Sequence, residues 1–249
     1  GYNGSGTIFF SGCNLRCVYC QNYEFSQYIK GSEVDPSQIG RYMLHLQKMG
    51  CHNINFVTPT HVLPQILTAL EIAANEGLKI PIVYNTGGYE FAETIKLLEG
   101  IVDIYLPDMR YADNNLAIKY SSAPDYPRFN QEAVREMFRQ VGIGIFDKDG
   151  IIKRGIIIRH LVLPNNIAGS EKIFRFLAEE LSRDIYISLM SQYFPYYKAD
   201  KFPRINRRLT LQEYNLAREL MQKYGLHNGW IQESGGLQRF AGVNIKRNT

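Results

Sequence analysis

Three of the four cysteines in this 249-residue chain fall within one stretch, SGCNLRCVYCQN, as Cys13, Cys17 and Cys20. Thiolates are nucleophiles and soft metal ligands, so three of them at C-x3-C-x2-C spacing point to metal or redox chemistry. Disulfides suit the pattern poorly. One thiol is left over, and partners so close in sequence close strained rings. A structural zinc site wants a fourth ligand, for which Cys51, His52 and His61 are the candidates. The sharper reading is a [4Fe–4S] cluster on three thiolates, which leaves one iron without a protein ligand. An open coordination position separates metal sites that do chemistry from those that only hold structure.

The elements that must position this loop follow from periodicity. Short β-branched runs read as strands at 7–10, 53–57, 81–85, 102–106, 155–162 and 185–190. Helical patterns lie between them, at 36–50, 63–77, 90–100, 130–142, 170–182 and 210–225, most closed by a glycine and the last opened by Thr210 as N-cap. Such alternation predicts βαβ units, a parallel sheet, and strand C-termini gathered on one face. The cysteine loop follows the first strand there. VTPTH follows the second, NTGGYE the third, PDMRYAD the fourth, LPNN the fifth and SQYFPYYK the sixth. In parallel α/β folds the ligand sits at that edge.

Composition narrows the class. Hydrophobic residues at 45% and charged residues at 21% are those of an ordinary globular protein, and the net charge is +4. No run of like charges argues for nucleic acid, and no apolar stretch reaches the ~20 residues that span a bilayer. Few cysteines and the lack of a secretory signal lead us to expect a cytoplasmic protein. The chain does not begin with methionine, so an N-terminal segment is expected to precede Gly1. No linker or low-complexity stretch divides residues 1–249, which read as one domain.

The stretch GCNLRCVYCQN resembles the C-x3-C-x-aromatic-C signature of the radical S-adenosylmethionine (radical SAM) superfamily, and more narrowly the branch of the pyruvate formate-lyase activating enzyme. The resemblance implies an α/β fold, a partial six-stranded parallel (β/α)6 barrel. It implies Cys13, Cys17 and Cys20 as ligands of a [4Fe–4S] cluster whose open iron is chelated by SAM. An electron from the reduced cluster then cleaves the sulfonium, and the 5′-deoxyadenosyl radical takes a hydrogen atom from a substrate. Tyr19 is implied to lie against the adenine.

Other positions carry over from the terminal loops. Thr58 and Thr60 stand where relatives have a GGE-type turn for the SAM amino group, a departure from the family pattern. YNTGG resembles a DTNG-like turn, which places Asn85 and Thr86 beside SAM or a monovalent cation. LPDMRYAD resembles an LDLK segment, with Asp108 as the acid and Arg110 as the base. RHLVLP matches R-x-x-V-x-P, which assigns Arg159 to the SAM carboxylate and leaves His160 as a core histidine. Gln192 or Tyr193 occupies the place of a SAM-contacting histidine. The lone tryptophan, Trp230, is expected to close the barrel without taking part in chemistry.

The branch implies a reductant such as flavodoxin or ferredoxin, and a glycyl radical enzyme as protein substrate. Two other readings stay open: a radical SAM enzyme with a different substrate, and a non-catalytic Fe–S or zinc scaffold.

Overall fold

The structure, a computed structural model, describes residues 2–232. It opens with β1 (Gly6–Phe9), α1 (Tyr23–Ser26), α2 (Pro36–Lys48), β2 (Ile54–Val57), α3 (Leu63–Asn75) and β3 (Ile82–Thr86). Next come α4 (Ala92–Lys96), β4 (Ile104–Pro107), α5 (Asn114–Ser121), α6 (Tyr126–Val141), β5 (Ile145–Phe146) and β6 (Ile152–Leu161). It closes with α7 (Ser170–Phe176), β7 (Tyr186–Met190), α8 (Leu211–Lys223) and β8 (Gly229–Ile231).

Local chemistry explains the helix starts. Asp35 accepts from the Gln38 backbone N–H while the Gln38 side chain reaches back, a capping box that launches α2 with Pro36 in its first turn. Thr210 and Glu213 do the same for α8, the N-cap expected from sequence. Helix α7 ends at Phe176 and runs on as a wider π-type turn, Leu177–Leu181.

The strands form one sheet in the order β1-β2-β3-β4-β6-β7-β8, all parallel, with β5 antiparallel on β6. Registers such as Phe9↔Val57, Val57↔Asn85 and Thr86↔Pro107 bring the C-terminal ends into line. The six strands expected from sequence are all present, in a parallel (β/α) partial barrel. Beyond these six, β8 adds a short parallel strand beside β7. Its three residues, Gly229–Ile231, are exposed and join through the backbone, so no buried periodicity announces them. Trp230 lies in this strand against Tyr186 and Phe146, 48% exposed, and covers the flank of the sheet.

Two apolar layers hold the fold. Phe56, Tyr84, Ile156 and Ile187 of the sheet meet Met43, Ile66, Met137 and Phe174 of the helices. Each such side chain contributes ~1.5–3 kcal/mol when fully buried. The second layer caps the strand ends and is rich in tyrosine. Leu15, Cys17 and Tyr19 of the cysteine loop pack with Tyr111, Tyr120, Tyr126 and Tyr193. The buried hydroxyls have partners: Tyr126 donates to Gly87 O at 2.8 Å and Tyr193 to Ile205 O at 2.7 Å. No helix among the described residues is long and apolar enough to cross a membrane.

Candidate active site

The cysteine loop leaves β1 through Gly12, whose φ of 91° favours glycine; a Cβ there would also lie 2.9 Å from His61 Nε2. It is then laid across α5. Arg16 N–H donates to Ser121 O at 2.9 Å and Val18 N–H to Tyr120 O at 2.9 Å, while Lys198 N–H reaches Val18 O at 2.8 Å. This clamp gives every sulfur a neighbour with a proton. Leu15 N–H donates to Cys13 Sγ at 3.4 Å, and Ser26 Oγ lies 3.1 Å from Cys20 Sγ. Cys17 Sγ has two partners, the Ser121 hydroxyl at 3.0 Å and Arg110 Nη1 at 3.6 Å.

All four cysteines are free thiols. Burial, then the neighbouring Cys17, pushes the Cys13 thiol up to about 11, and the same two causes raise Cys20. Metal loading must release those protons. Cys51 does not join the three. It sits beside Gly6, at the opposite end of β1. The other candidates for a fourth zinc ligand are committed elsewhere: His52 Nε2 accepts from Asn3 N–H at 3.3 Å, and His61 Nε2 lies 2.6 Å from Ser11 O. Among the described residues no group of three or more His, Cys, Asp or Glu side chains closes round one ion.

The three cysteines form one wall of a cavity of about 310 Å³ at the strand ends. Tyr19, Thr58, Asn85 and Thr86 line it, together with Asp108, Arg110, Arg159, Gln192 and Tyr193. Thr58 holds φ 58°, a strained value for a β-branched residue, with its N–H donating to Asn85 O at 3.0 Å. Thr60 departs from expectation. The turn Thr60–Val62 aims its hydroxyl away from the cavity and onto Glu90 Oε1 at 2.5 Å.

Charge is concentrated beside Cys17. Arg110 donates to Asp108 Oδ2, and Arg159 Nη2 lies 2.7 Å from Asp108 Oδ1, close enough for an ion pair though not aligned for a hydrogen bond. Burial alone would lower the Arg110 pKa; Asp108 and then Cys17 outweigh it and hold the guanidinium charged. Arg110 Nε, Arg159 Nε and Asp108 Oδ1 are buried without hydrogen-bond partners. Unpaired donors and a carboxylate oxygen at one cavity wall fit a zwitterionic, hydroxyl-bearing ligand such as SAM. The three sulfurs, each within reach of a donor, fit a thiolate-held cluster. His160, between Met109 O at 2.8 Å and Ser170 Oγ at 2.9 Å, is a satisfied core histidine outside the cavity.

Beneath the NTGG turn lies a group that sequence reasoning missed. The Glu90 carboxyl accepts from Thr60 and Thr86 and is almost wholly buried. Burial pushes it from its ordinary 4.5 up to about 7, although those hydroxyls and that of Tyr84 pull it down. The folded chain therefore binds a proton there that the unfolded chain has already lost. Stability from this group is full below about pH 4.5 and falls as pH rises through about 7, by on the order of 3 kcal/mol. Glu90→Gln keeps an acceptor for both threonines, so its unfolding free energy should lack that decline. Urea titrations at about pH 5 and about pH 8 check this, and an equal pH slope in both proteins would count against it.

Ser26, Tyr111 and Ser121 were also missed. The one signal for the last two was Asp113, which caps α5 through Leu116 N–H at 2.9 Å and was not read as an N-cap.

A parallel (β/α) partial barrel with a three-cysteine loop after its first strand defines a radical SAM fold. The Radical SAM superfamily pattern matches residues 7–130, from β1 into α6. The chain belongs to the radical SAM superfamily, whose members use a [4Fe–4S] cluster and S-adenosylmethionine. An uncharacterized protein of Methanocaldococcus jannaschii is 34% identical over 232 residues, 89% of this chain. The chain spans 63% of that relative's length. Among solved structures, Streptococcus suis SuiB bound to S-adenosylmethionine is similar in fold, with TM-score 0.59 and 12% identity over 88% of this chain and 47% of its own. A domain of a pyruvate-formate lyase-activating enzyme from Bacteroides vulgatus gives TM-score 0.50 and 17% identity, covering 73% of this chain and 98% of its own.

Proposed function

We propose that residues 1–249 form one radical SAM domain that cleaves SAM reductively and removes a hydrogen atom from a substrate, in the manner of activating enzymes. One observation carries this reading. The three thiols and the Asp108–Arg110–Arg159 charge cluster open onto the same cavity. When bound, cluster and SAM together supply the one-electron chemistry. The chain's own residues hold and shield. Cys13, Cys17 and Cys20 ligate, and Tyr19, edge-on to Tyr193 with ring centres 5.6 Å apart, offers an aromatic wall for the adenine. Asp108 Oδ1 accepts from hydroxyls, and Arg159 meets the SAM carboxylate. Asn85, Thr86 and the strained Thr58 supply polar contacts, and Gln192 borders the mouth. Thr60 acts only through Glu90.

For the substrate we propose a glycyl residue of a partner enzyme, with flavodoxin or ferredoxin as the electron donor. The resemblance to the activating-enzyme branch supports that choice, and Tyr196, a half-buried aromatic in the cavity lining, suits a peptide. The test begins with anaerobic reconstitution, dithionite and SAM, and quantifies 5′-deoxyadenosine. A fully loaded protein that releases none, alone or with a glycyl radical enzyme, would leave a scaffold. SAM cleavage without a glycyl radical signal in any such partner would redirect the substrate assignment.

Arg159→Ala should weaken SAM binding by ~10–100-fold, the value of one charge-assisted contact, with iron content unchanged. Equilibrium dialysis with labelled SAM measures this, and wild-type affinity in the variant would remove Arg159 from the site.

A further inference from the structure

Cys17 differs from the other two cysteines in what stands behind it. Its Sγ is 3.0 Å from the Ser121 hydroxyl, which is 2.7 Å from the Tyr111 hydroxyl, which is 2.6 Å from that of Tyr19. All three residues are buried, and Ser121 is 0% exposed. The chain therefore joins the aromatic wall of the cavity to one sulfur of the cysteine loop with no water between.

A metal-bound thiolate has lone pairs and no proton, so Ser121 must donate to it. Each hydroxyl has a single proton. Ser121 thus accepts from Tyr111, and Tyr111 accepts from Tyr19. All three O–H bonds point the same way, toward the sulfur, and each polarises the next in the low-dielectric interior. A cluster becomes more negative when it gains an electron, and donors to its sulfurs stabilise that state. We propose that Tyr19, Tyr111 and Ser121 form a one-way hydroxyl chain that raises the reduction potential of the cluster held by Cys17. Ser121 is thus a positioning residue for the electron step.

The chain rests on the cluster reading given above and extends it to residues outside the cysteine motif. Anchoring of the loop is separate from it. Arg16 N–H is held by the Ser121 carbonyl at 2.9 Å, a bond that substitution of the side chain leaves in place. Arg110, the second donor to Cys17, is likewise untouched.

The experiment is a potentiometric titration of the anaerobically reconstituted protein, followed by electron paramagnetic resonance. Iron and sulfide content are measured on the same samples. Ser121→Ala is expected to retain full iron and to titrate at a lower midpoint than wild type. Ser121→Thr, which keeps the hydroxyl, should return toward the wild-type value. Tyr111→Phe should shift the midpoint the same way by a smaller amount, since Ser121 still donates but is no longer polarised. Ser121→Ala with full iron and the wild-type midpoint would overturn the proposal. If Ser121→Ala fails to fold or to load, Tyr111→Phe decides: a lower midpoint supports the chain, and an unchanged one overturns it. Wild-type protein that takes up no iron would overturn the cluster reading itself, a result distinct from unchanged midpoints in loaded variants.

Discussion

Cys17→Ala protein, reconstituted anaerobically, is expected to lose its [4Fe–4S] cluster and with it essentially all release of 5′-deoxyadenosine from SAM. Cys17 is the most buried of the three, at 4% exposure, and its sulfur meets both Ser121 and Arg110. The variant removes a ligand and leaves the Ser121 hydroxyl unpartnered on that side, a further cost of ~1–3 kcal/mol. Outer partners of a metal site are already worth ~10–100-fold, so the loss of a ligand should exceed ~100-fold in cluster affinity. Cys51→Ala is the control. Cys51 lies at the other end of β1, and its removal should leave iron content and SAM cleavage as in wild type. Iron and sulfide analysis with chromatographic detection of the nucleoside provides the measurement. A Cys17→Ala protein with full iron would refute the ligand assignment.

The second large effect is at Asp108. This carboxylate stands between two guanidiniums, those of Arg110 and Arg159, at the buried end of β4. Asp108→Asn keeps the shape and removes the charge, so the two arginines face each other across a cavity wall without a counter-ion. Breaking a buried pair by removing one partner costs ~3–5 kcal/mol, and we expect a loss of that order here. Arg159→Gln alone should cost less, because Asp108 keeps Arg110. If repulsion is the cause, the double variant Asp108→Asn/Arg159→Gln should recover part of the loss. Urea unfolding of wild type, both singles and the double closes the cycle. Strict additivity would show that the two residues do not share a network.

Much of the frame was legible in the sequence because short-range physics specifies it. Six strands announced themselves as β-branched runs, and Thr210 as an N-cap, since strand burial and helix capping depend on neighbours in sequence. β8 was invisible for the opposite reason. It is three residues long and all three are exposed, so no buried periodicity marks it. Helix α5 was missed because NNLAIKYS carries little apolar periodicity and is held by tertiary contacts with the cysteine loop.

The same division holds at the site. Cysteine chemistry is intrinsic, so three thiols at fixed spacing pointed to a metal loop from the sequence. Asp108, Arg110 and Arg159 could be placed near it because each follows or lies in a strand. That both arginines share one carboxylate became clear only in three dimensions, where β4 and β6 are neighbours. Thr60 was read toward the cavity, yet its hydroxyl serves Glu90, thirty residues on. Ser121 is separated from Cys17 by more than a hundred positions and meets it at 3.0 Å. Sequence alone determined which residues can ligate and where the strands end, since both are properties of a residue and its near neighbours. Tertiary structure decided which sulfur receives a hydroxyl chain and which carboxyl is buried, because hydrogen bonding and desolvation depend on groups that only folding brings together.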